Sequence, residues 1–113
     1  MTSVTIYHNP RCTKSRQTLA LLTERGIEPE IVEYLTDSPS AKTLKAVVAK
    51  LGIAPRELVR RKEFKALGVA EPDNDAGWIK LMAENPQIIE RPIVVAGDQA
   101  ALGRPPENVL EVL

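Results

Sequence analysis

The chain of 113 residues holds one cysteine, in the run His8-Asn9-Pro10-Arg11-Cys12-Thr13-Lys14-Ser15-Arg16. A thiol does chemistry as its thiolate, and a thiolate forms where positive charge and free N–H donors surround the sulfur. Cys12 follows an apolar strand pattern over Val4 to Tyr7 and precedes a helical pattern that includes Thr18 to Leu22. That order puts the sulfur at a helix N-terminus, where unpaired backbone N–H groups and the positive end of the macrodipole favour negative charge. Arg11, Lys14, Arg16 and His8 are cationic neighbours in prospect, and the same geometry attracts oxyanions. A lone cysteine is more often a small buried hydrophobe. Here Pro-Arg before it and Thr-Lys-Ser-Arg after it make a poor core environment, which favours a reactive thiol.

The remaining cations with a distinctive setting lie far along the chain. Arg60-Arg61-Lys62 is a cationic knot of a kind that usually forms a solvated face. Arg91-Pro92 and Arg104-Pro105-Pro106 flank a pair of short apolar runs. A proline after each arginine restricts the backbone on both sides of the bond and so fixes the direction the arginine takes.

The elements that must position these residues read as follows. Val4 to Tyr7 forms a first strand ended by Asn9-Pro10, and a helix from about Thr13 to Arg25 stops at Gly26, a residue suited to a C-cap. Ile31, Val32, Tyr34 and Leu35 make a second strand, so the front half reads as a parallel βαβ unit. Helices follow. Ser38 or Ser40 caps a segment whose Leu44, Val47, Val48 and Leu51 recur at helical spacing up to Gly52, and Pro55 opens a short helix through Leu58 and Val59. Glu63 to Leu67 continues as a brief helix, and one of Asp73, Asn74 or Asp75 caps a helix carrying Trp78, Leu81 and Met82, with Trp78 read as core. Ile93-Val94-Val95 and Ala100 to Gly103, joined by Ala96-Gly97-Asp98, form a β-hairpin. A final helix starts at Pro105 or Pro106 with Val109, Leu110 and Leu113 as its apolar stripe.

Composition bounds the function. Fifteen basic and fifteen acidic residues cancel, which argues against a nucleic-acid coat or a membrane-surface role. The N-terminus lacks the basic and apolar regions of a signal peptide, and no run approaches the ~20 residues of a membrane span, so a cytoplasmic location is expected. With one cysteine an internal disulfide is impossible and a metal site is not expected. Any redox cycle that needs a second thiol must borrow it from another molecule.

The order of strand, cysteine loop, helix, strand, helices, proline, hairpin and helix resembles an α/β thioredoxin or glutaredoxin fold. It implies one domain over residues 1–113, a mixed four-stranded sheet and a helical insertion at about residues 37–88. Four motifs narrow the likeness: HNPRCTKSR, the LGI-P-ELVRRK stretch, ERPIVV and GRPPE. Together and in this order they resemble the arsenate reductases that use glutathione and glutaredoxin. The resemblance implies that Cys12 is the nucleophile and that His8 helps to ionise it. It implies that Arg60, Arg91 and Arg104 hold the arsenic oxyanion and its thiol adducts, with Ser15 and Arg16 in the anion-holding loop. Pro92 matches a proline that is usually cis in this fold. No cofactor is implied. Glutathione would be a co-substrate, glutaredoxin a partner and the protein a monomer.

The best-known members carry roughly HNPACGTSR around the cysteine, whereas this chain has Arg11 before it and Thr13-Lys14 after it. The extra positive charge bears on which anion is preferred. Two other readings fit the same fold. One is a regulator that binds another protein; regulators of this relationship typically carry Cys-x-x-Cys, where this chain has Ser15. The other is a general glutathione-dependent thiol oxidoreductase that keeps Cys12 and acts on mixed disulfides.

Overall fold

A computed structural model describes residues 3–113. The chain folds as β1 (Val4–Tyr7), α1 (Thr13–Glu24), β2 (Glu30–Val32), α2 (Ala41–Leu51), α3 (Arg61–Leu67), α4 (Asp75–Glu84), β3 (Ile93–Ala96) and β4 (Gln99–Leu102). Short 3-10 turns lie at Pro55–Leu58, Pro86–Ile88 and Pro106–Val112. The four-stranded sheet runs in the order β2-β1-β3-β4, with β1 parallel to β2 and antiparallel to β3, and β3 antiparallel to β4. This is the mixed thioredoxin-like sheet that the motif order implied.

Local chemistry explains most boundaries. Ser40 accepts the Thr43 N–H at 3.1 Å to start α2, and Gly52, with φ of 70°, ends it in the left-handed conformation that glycine adopts without a Cβ clash. Asn74 starts α4 by accepting the Gly77 N–H at 2.8 Å.

Two expectations are revised. The second strand stops at Val32. Its central Ile31 is 49% exposed, and Tyr34 is buried beyond the strand, in the turn that follows. An edge strand of three residues limits the unpaired backbone it presents. The C-terminal segment is a run of 3-10 turns, so its apolar positions do not share one face. Val109 is fully buried and Leu113 is 44% exposed.

Two apolar clusters flank the sheet. Tyr34, Leu44, Val47, Leu58, Phe64, Trp78, Met82 and Ile88 pack the helical insertion onto one side, confirming Trp78 as core. Ile6, Leu22, Val94 and Val109 pack α1 and the C-terminal turns onto the other. An isolated antiparallel bridge, Val59 with Ile89, joins the insertion to the approach to β3; its flanking bonds, Arg60 N–H to the Ile88 carbonyl and Glu90 N–H to the Leu58 carbonyl, are both 2.7 Å.

Strand register does the rest of the positioning. Tyr7 pairs with Ile93, and Ile93 pairs with Leu102, so one step further along each strand His8 lies beside Pro92 and Pro92 beside Gly103. The Gly103 N–H donates to the Pro92 carbonyl at 2.9 Å. Both Arg91-Pro92 and Arg104-Pro105 are cis peptides. Gly103 sits where β4, the cis-proline and α1 meet. A Cβ there would collide with the Thr18 hydroxyl and stand 2.8 Å from the Pro92 ring. Thr18 cannot retreat without cost, because it is buried and its hydroxyl donates to the Lys14 carbonyl at 2.8 Å. Gly103→Ala is therefore expected to cost about 1–3 kcal/mol through overpacking. Urea unfolding measures it, and an unchanged midpoint would mean that Thr18 and Pro92 yield freely.

Candidate active site

The loop from His8 to Cys12 is built by its own side chains. Asn9 accepts the Arg11 N–H on its carboxamide at 3.0 Å, and the Asn9 carbonyl takes the Cys12 N–H at 3.0 Å. Cys12 then caps α1 with extended backbone, φ −91° and ψ 123°, while its carbonyl accepts the first helical N–H, from Arg16, at 3.0 Å. The sulfur thus stands at the N-terminus of a twelve-residue helix with no acidic residue in its first turn, as the sequence pattern predicts. Cys12 is 9% exposed, so it is reached through a narrow opening.

Ser15 and Arg16 brace this loop. The Ser15 hydroxyl oxygen is buried, accepts the Asn9 N–H at 3.0 Å and lies 2.6 Å from His8 Nδ1. Arg16 clasps the loop from outside, donating to the Pro10 carbonyl at 2.9 Å and to the Thr13 hydroxyl at 3.3 Å. Both residues were expected among those that hold an anion. In this structure their side chains hold the backbone that carries Cys12.

His8 is 6% exposed. Burial pushes its imidazole below the ordinary histidine range; the Glu33 carboxylate opposes this and the Arg16 guanidinium reinforces it. The ring is therefore neutral near pH 7, with Nδ1 and the Ser15 hydroxyl sharing a hydrogen bond. Its side-chain hydrogen bond runs to Ser15, and its link to Cys12 passes through the loop.

Arg60 and Arg104 meet at Glu90 beyond the strand ends, and Arg91 joins them through its backbone. Arg104 Nη2 lies 3.9 Å from Cys12 Sγ, joining residues 92 positions apart. Arg104 Nε donates to the Arg91 carbonyl at 2.8 Å and reaches Glu90 Oε1 at 2.9 Å. Arg60 Nε lies 3.5 Å from the same Glu90 oxygen, and its Nη1 pairs with Glu63 at 3.3 Å. Arg91 donates its backbone N–H to Glu90 Oε1 at 3.2 Å. Its side-chain Nε is buried without a hydrogen-bond partner, and among the described residues its guanidinium forms no ion pair. Tyr34 closes the floor. Its buried phenol is pushed well above the ordinary tyrosine range, first by desolvation and then by the Cys12 charge, with Arg60 pulling the other way. One buried hydroxyl therefore senses both the sulfur and Arg60.

The cationic knot divides. Arg60 turns inward, whereas Arg61 packs 5.2 Å over the Trp78 ring and pairs with Glu71 at 2.8 Å on the exposed side. The residue that sequence reasoning passed over is Glu90. It stands in the ERPIVV motif, directly before Arg91, but an isolated acid carries no pattern of its own.

The site is thus a thiol at a helix start, with the Arg104 guanidinium on the sulfur, Arg104 and Arg60 both paired with Glu90, and Arg91 joined to that carboxylate through its backbone N–H. A sequence profile described as the ArsC family matches residues 7–112. The chain belongs to the ArsC family. It is 48% identical to an arsenate reductase of Haemophilus influenzae, over 98% of this chain and 99% of that one. It is 50% identical to an uncharacterized protein of Escherichia coli, YfgD, over 97% of this chain and 96% of that one. The solved structure of an arsenate reductase from Vibrio cholerae superposes with a TM-score of 0.89 at 47% identity, covering 99% of this chain and 98% of that one. The arsenate reductase resemblance drawn from the four motifs therefore holds at the level of the family. The ArsC profile spans the cysteine loop, all three arginines and Glu90 alike.

The neutral His8 makes a prediction that does not depend on substrate. Its folded value lies below the unfolded value near ~6.5, so below that pH the unfolded chain binds the proton more readily. Stability is then present above about pH 6.5 and is lost as pH falls toward the lowered folded value. Replacing His8 with Gln keeps a polar side chain of similar length and removes the titration. Urea unfolding of the parent should weaken more than that of His8→Gln between about pH 7 and about pH 5; equal pH slopes would contradict a buried neutral imidazole.

Proposed function

We propose that this protein reduces arsenate to arsenite, with Cys12 as nucleophile, glutathione as co-substrate and glutaredoxin as the partner that restores the thiol. The observation that carries the reading is the 3.9 Å approach of Arg104 Nη2 to the Cys12 sulfur. A permanent cation there stabilises a thiolate and also stands where the oxygens of an attacked anion would lie.

Arsenate near neutral pH carries one to two negative charges, so a thiolate that attacks it meets repulsion. Guanidiniums suit the offset, because arginine stays charged and presents a planar fork to tetrahedral oxyanions. The five side chains Arg60, Arg91, Arg104, Glu63 and Glu90 sum to one positive charge, which leaves the clamp short of an anion. The unpartnered Nε of Arg91 points the same way. A buried donor left unmade costs about 1–3 kcal/mol, and a bound oxyanion would recover it.

The course of the reaction follows. The Cys12 thiolate attacks arsenic; an S–As bond forms and one oxide leaves as water after protonation. Glutathione thiolate then attacks the Cys12 sulfur. The S–S bond forms as the S–As bond breaks, its electron pair passes to arsenic, and arsenite departs as As(III). Two thiols have been oxidised and one arsenic centre reduced by two electrons. With one cysteine in the chain, the mixed disulfide is cleared by external thiol exchange, which is where glutaredoxin enters. His8 and Ser15 hold the loop, and Arg60, Arg91 and Arg104 bind the anion.

Two measurements test this. In a coupled assay with glutathione, glutaredoxin, glutathione reductase and NADPH, Cys12→Ser should abolish arsenate turnover while melting like the parent. Arg91→Lys and Arg104→Lys keep the charge but lose the fork. Each should cost one charge-assisted hydrogen bond, about 1.5 to 3 kcal/mol, or on the order of ten- to a hundredfold in rate. Turnover within a factor of two of the parent would remove the arginine clamp. Absent turnover in the parent, with mixed disulfides reduced instead, would move the assignment to a general thiol oxidoreductase. Crystals soaked in arsenate or sulfate should show an anion near the sulfur with at least two of the three guanidiniums in reach.

A further inference from the structure

We propose that Glu90 is the positioning residue of this site: one oxygen of its carboxylate gathers the arginines and sets the angle at which Arg104 faces Cys12. The proposal takes its substrate from the arsenate reading but rests on its own geometry. Glu90 Oε1 pairs with Arg104 Nε at 2.9 Å and with Arg60 Nε at 3.5 Å, and it accepts the Arg91 backbone N–H at 3.2 Å. All three contacts fall on a single oxygen. A carboxylate serving stability alone would pair side-on with one guanidinium through both oxygens, the stronger arrangement. Here one oxygen stands against two arginines at once.

The edge that is gripped matters as much as the grip. A guanidinium donates from its Nε side and from its Nη end. Glu90 and the Arg91 carbonyl both hold Arg104 by Nε, which turns Nη2 onto the sulfur at 3.9 Å. Arg60 is held at Nε by Glu90 and at Nη1 by Glu63. Glu90 is itself fixed by the backbone, since its N–H donates to the Leu58 carbonyl at 2.7 Å across the Val59–Ile89 bridge. The helical insertion that carries Arg60 and the hairpin that carries Arg91 and Arg104 are thus joined electrostatically where they are already joined by hydrogen bonds.

Placement and simple charge balance predict opposite results. Glu90→Asp keeps the charge but withdraws the oxygen by one methylene, whereas Glu90→Gln keeps an oxygen in place and removes the charge. If Glu90 positions Arg104, the Asp variant should alkylate Cys12 with iodoacetamide at least about threefold more slowly at neutral pH, and its kcat for arsenate should fall about tenfold. The Gln variant should keep the alkylation rate at or above that of the parent and bind arsenate more tightly, so KM falls. Glu71→Gln, which removes an exposed acid from the outer Arg61 pair, is the charge-matched control and should match the parent. All variants should melt alike. An Asp variant within a factor of two of the parent in both readouts, or a Gln variant that alkylates more slowly than Asp, would overturn the proposal. Alkylation needs no arsenate, so a parent without arsenate turnover would sink the proposed reaction and still leave the positioning role open to this decision.

Discussion

Like charges brought together in a half-buried site must be held there against their own repulsion. Two unit charges about 4 Å apart interact by roughly 4 kcal/mol under the screening typical near a protein surface, a large fraction of the net stability of a domain. Arg60 and Arg104 both reach one oxygen of Glu90, so the attraction of each to the carboxylate offsets their repulsion of one another. The remaining features of the site are ways of bringing that oxygen, those guanidiniums and one sulfur to the same place.

The backbone does this with few elements. A parallel pair, β1 with β2, aims the cysteine loop off the end of the sheet, and an antiparallel pair, β1 with β3, runs Arg91-Pro92 back alongside it. Adding β4 returns the chain to the same end at Arg104. Arg60 comes from outside the sheet, on the insertion, and needs its own tether. The Val59–Ile89 bridge supplies it, and the apolar cluster of Tyr34, Leu44, Leu58, Phe64, Trp78 and Met82 makes the tether rigid. Tyr34 belongs to both the core and the site, so packing of the insertion and the electrostatics around the sulfur are coupled through one residue.

The cysteine loop shows how a polar group can serve a reactive one without touching it. His8, Ser15, Asn9 and Arg16 satisfy each other and the loop backbone, leaving the positive end of α1 for the sulfur. A charged histidine in that position would be desolvated and opposed by Arg16. A neutral one hydrogen-bonded to Ser15 meets neither cost.

What the sequence determined by itself is what depends on near neighbours. The cysteine at a strand-to-helix junction, the caps Ser40 and Asn74, the stop at Gly52 and the hairpin around Gly97-Asp98 are each set within a few residues by hydrogen bonds and steric limits that residue types alone impose. Motif order also carried the sheet topology and the family. Tertiary structure decided the rest. Glu90 has no local signature, because its partners arrive from the insertion and from beyond β4. Ser15 and Arg16 brace the loop through hydrogen bonds to His8, Asn9, Pro10 and Thr13 that only the folded loop assembles. His8 reads as a cation until burial makes its charge expensive. The second strand ends early because Tyr34 gains more by entering the core than by continuing an exposed edge. For Glu90, His8 and Tyr34 the deciding energy is a desolvation or a long-range ion pair, and neither exists until distant parts of the chain have met.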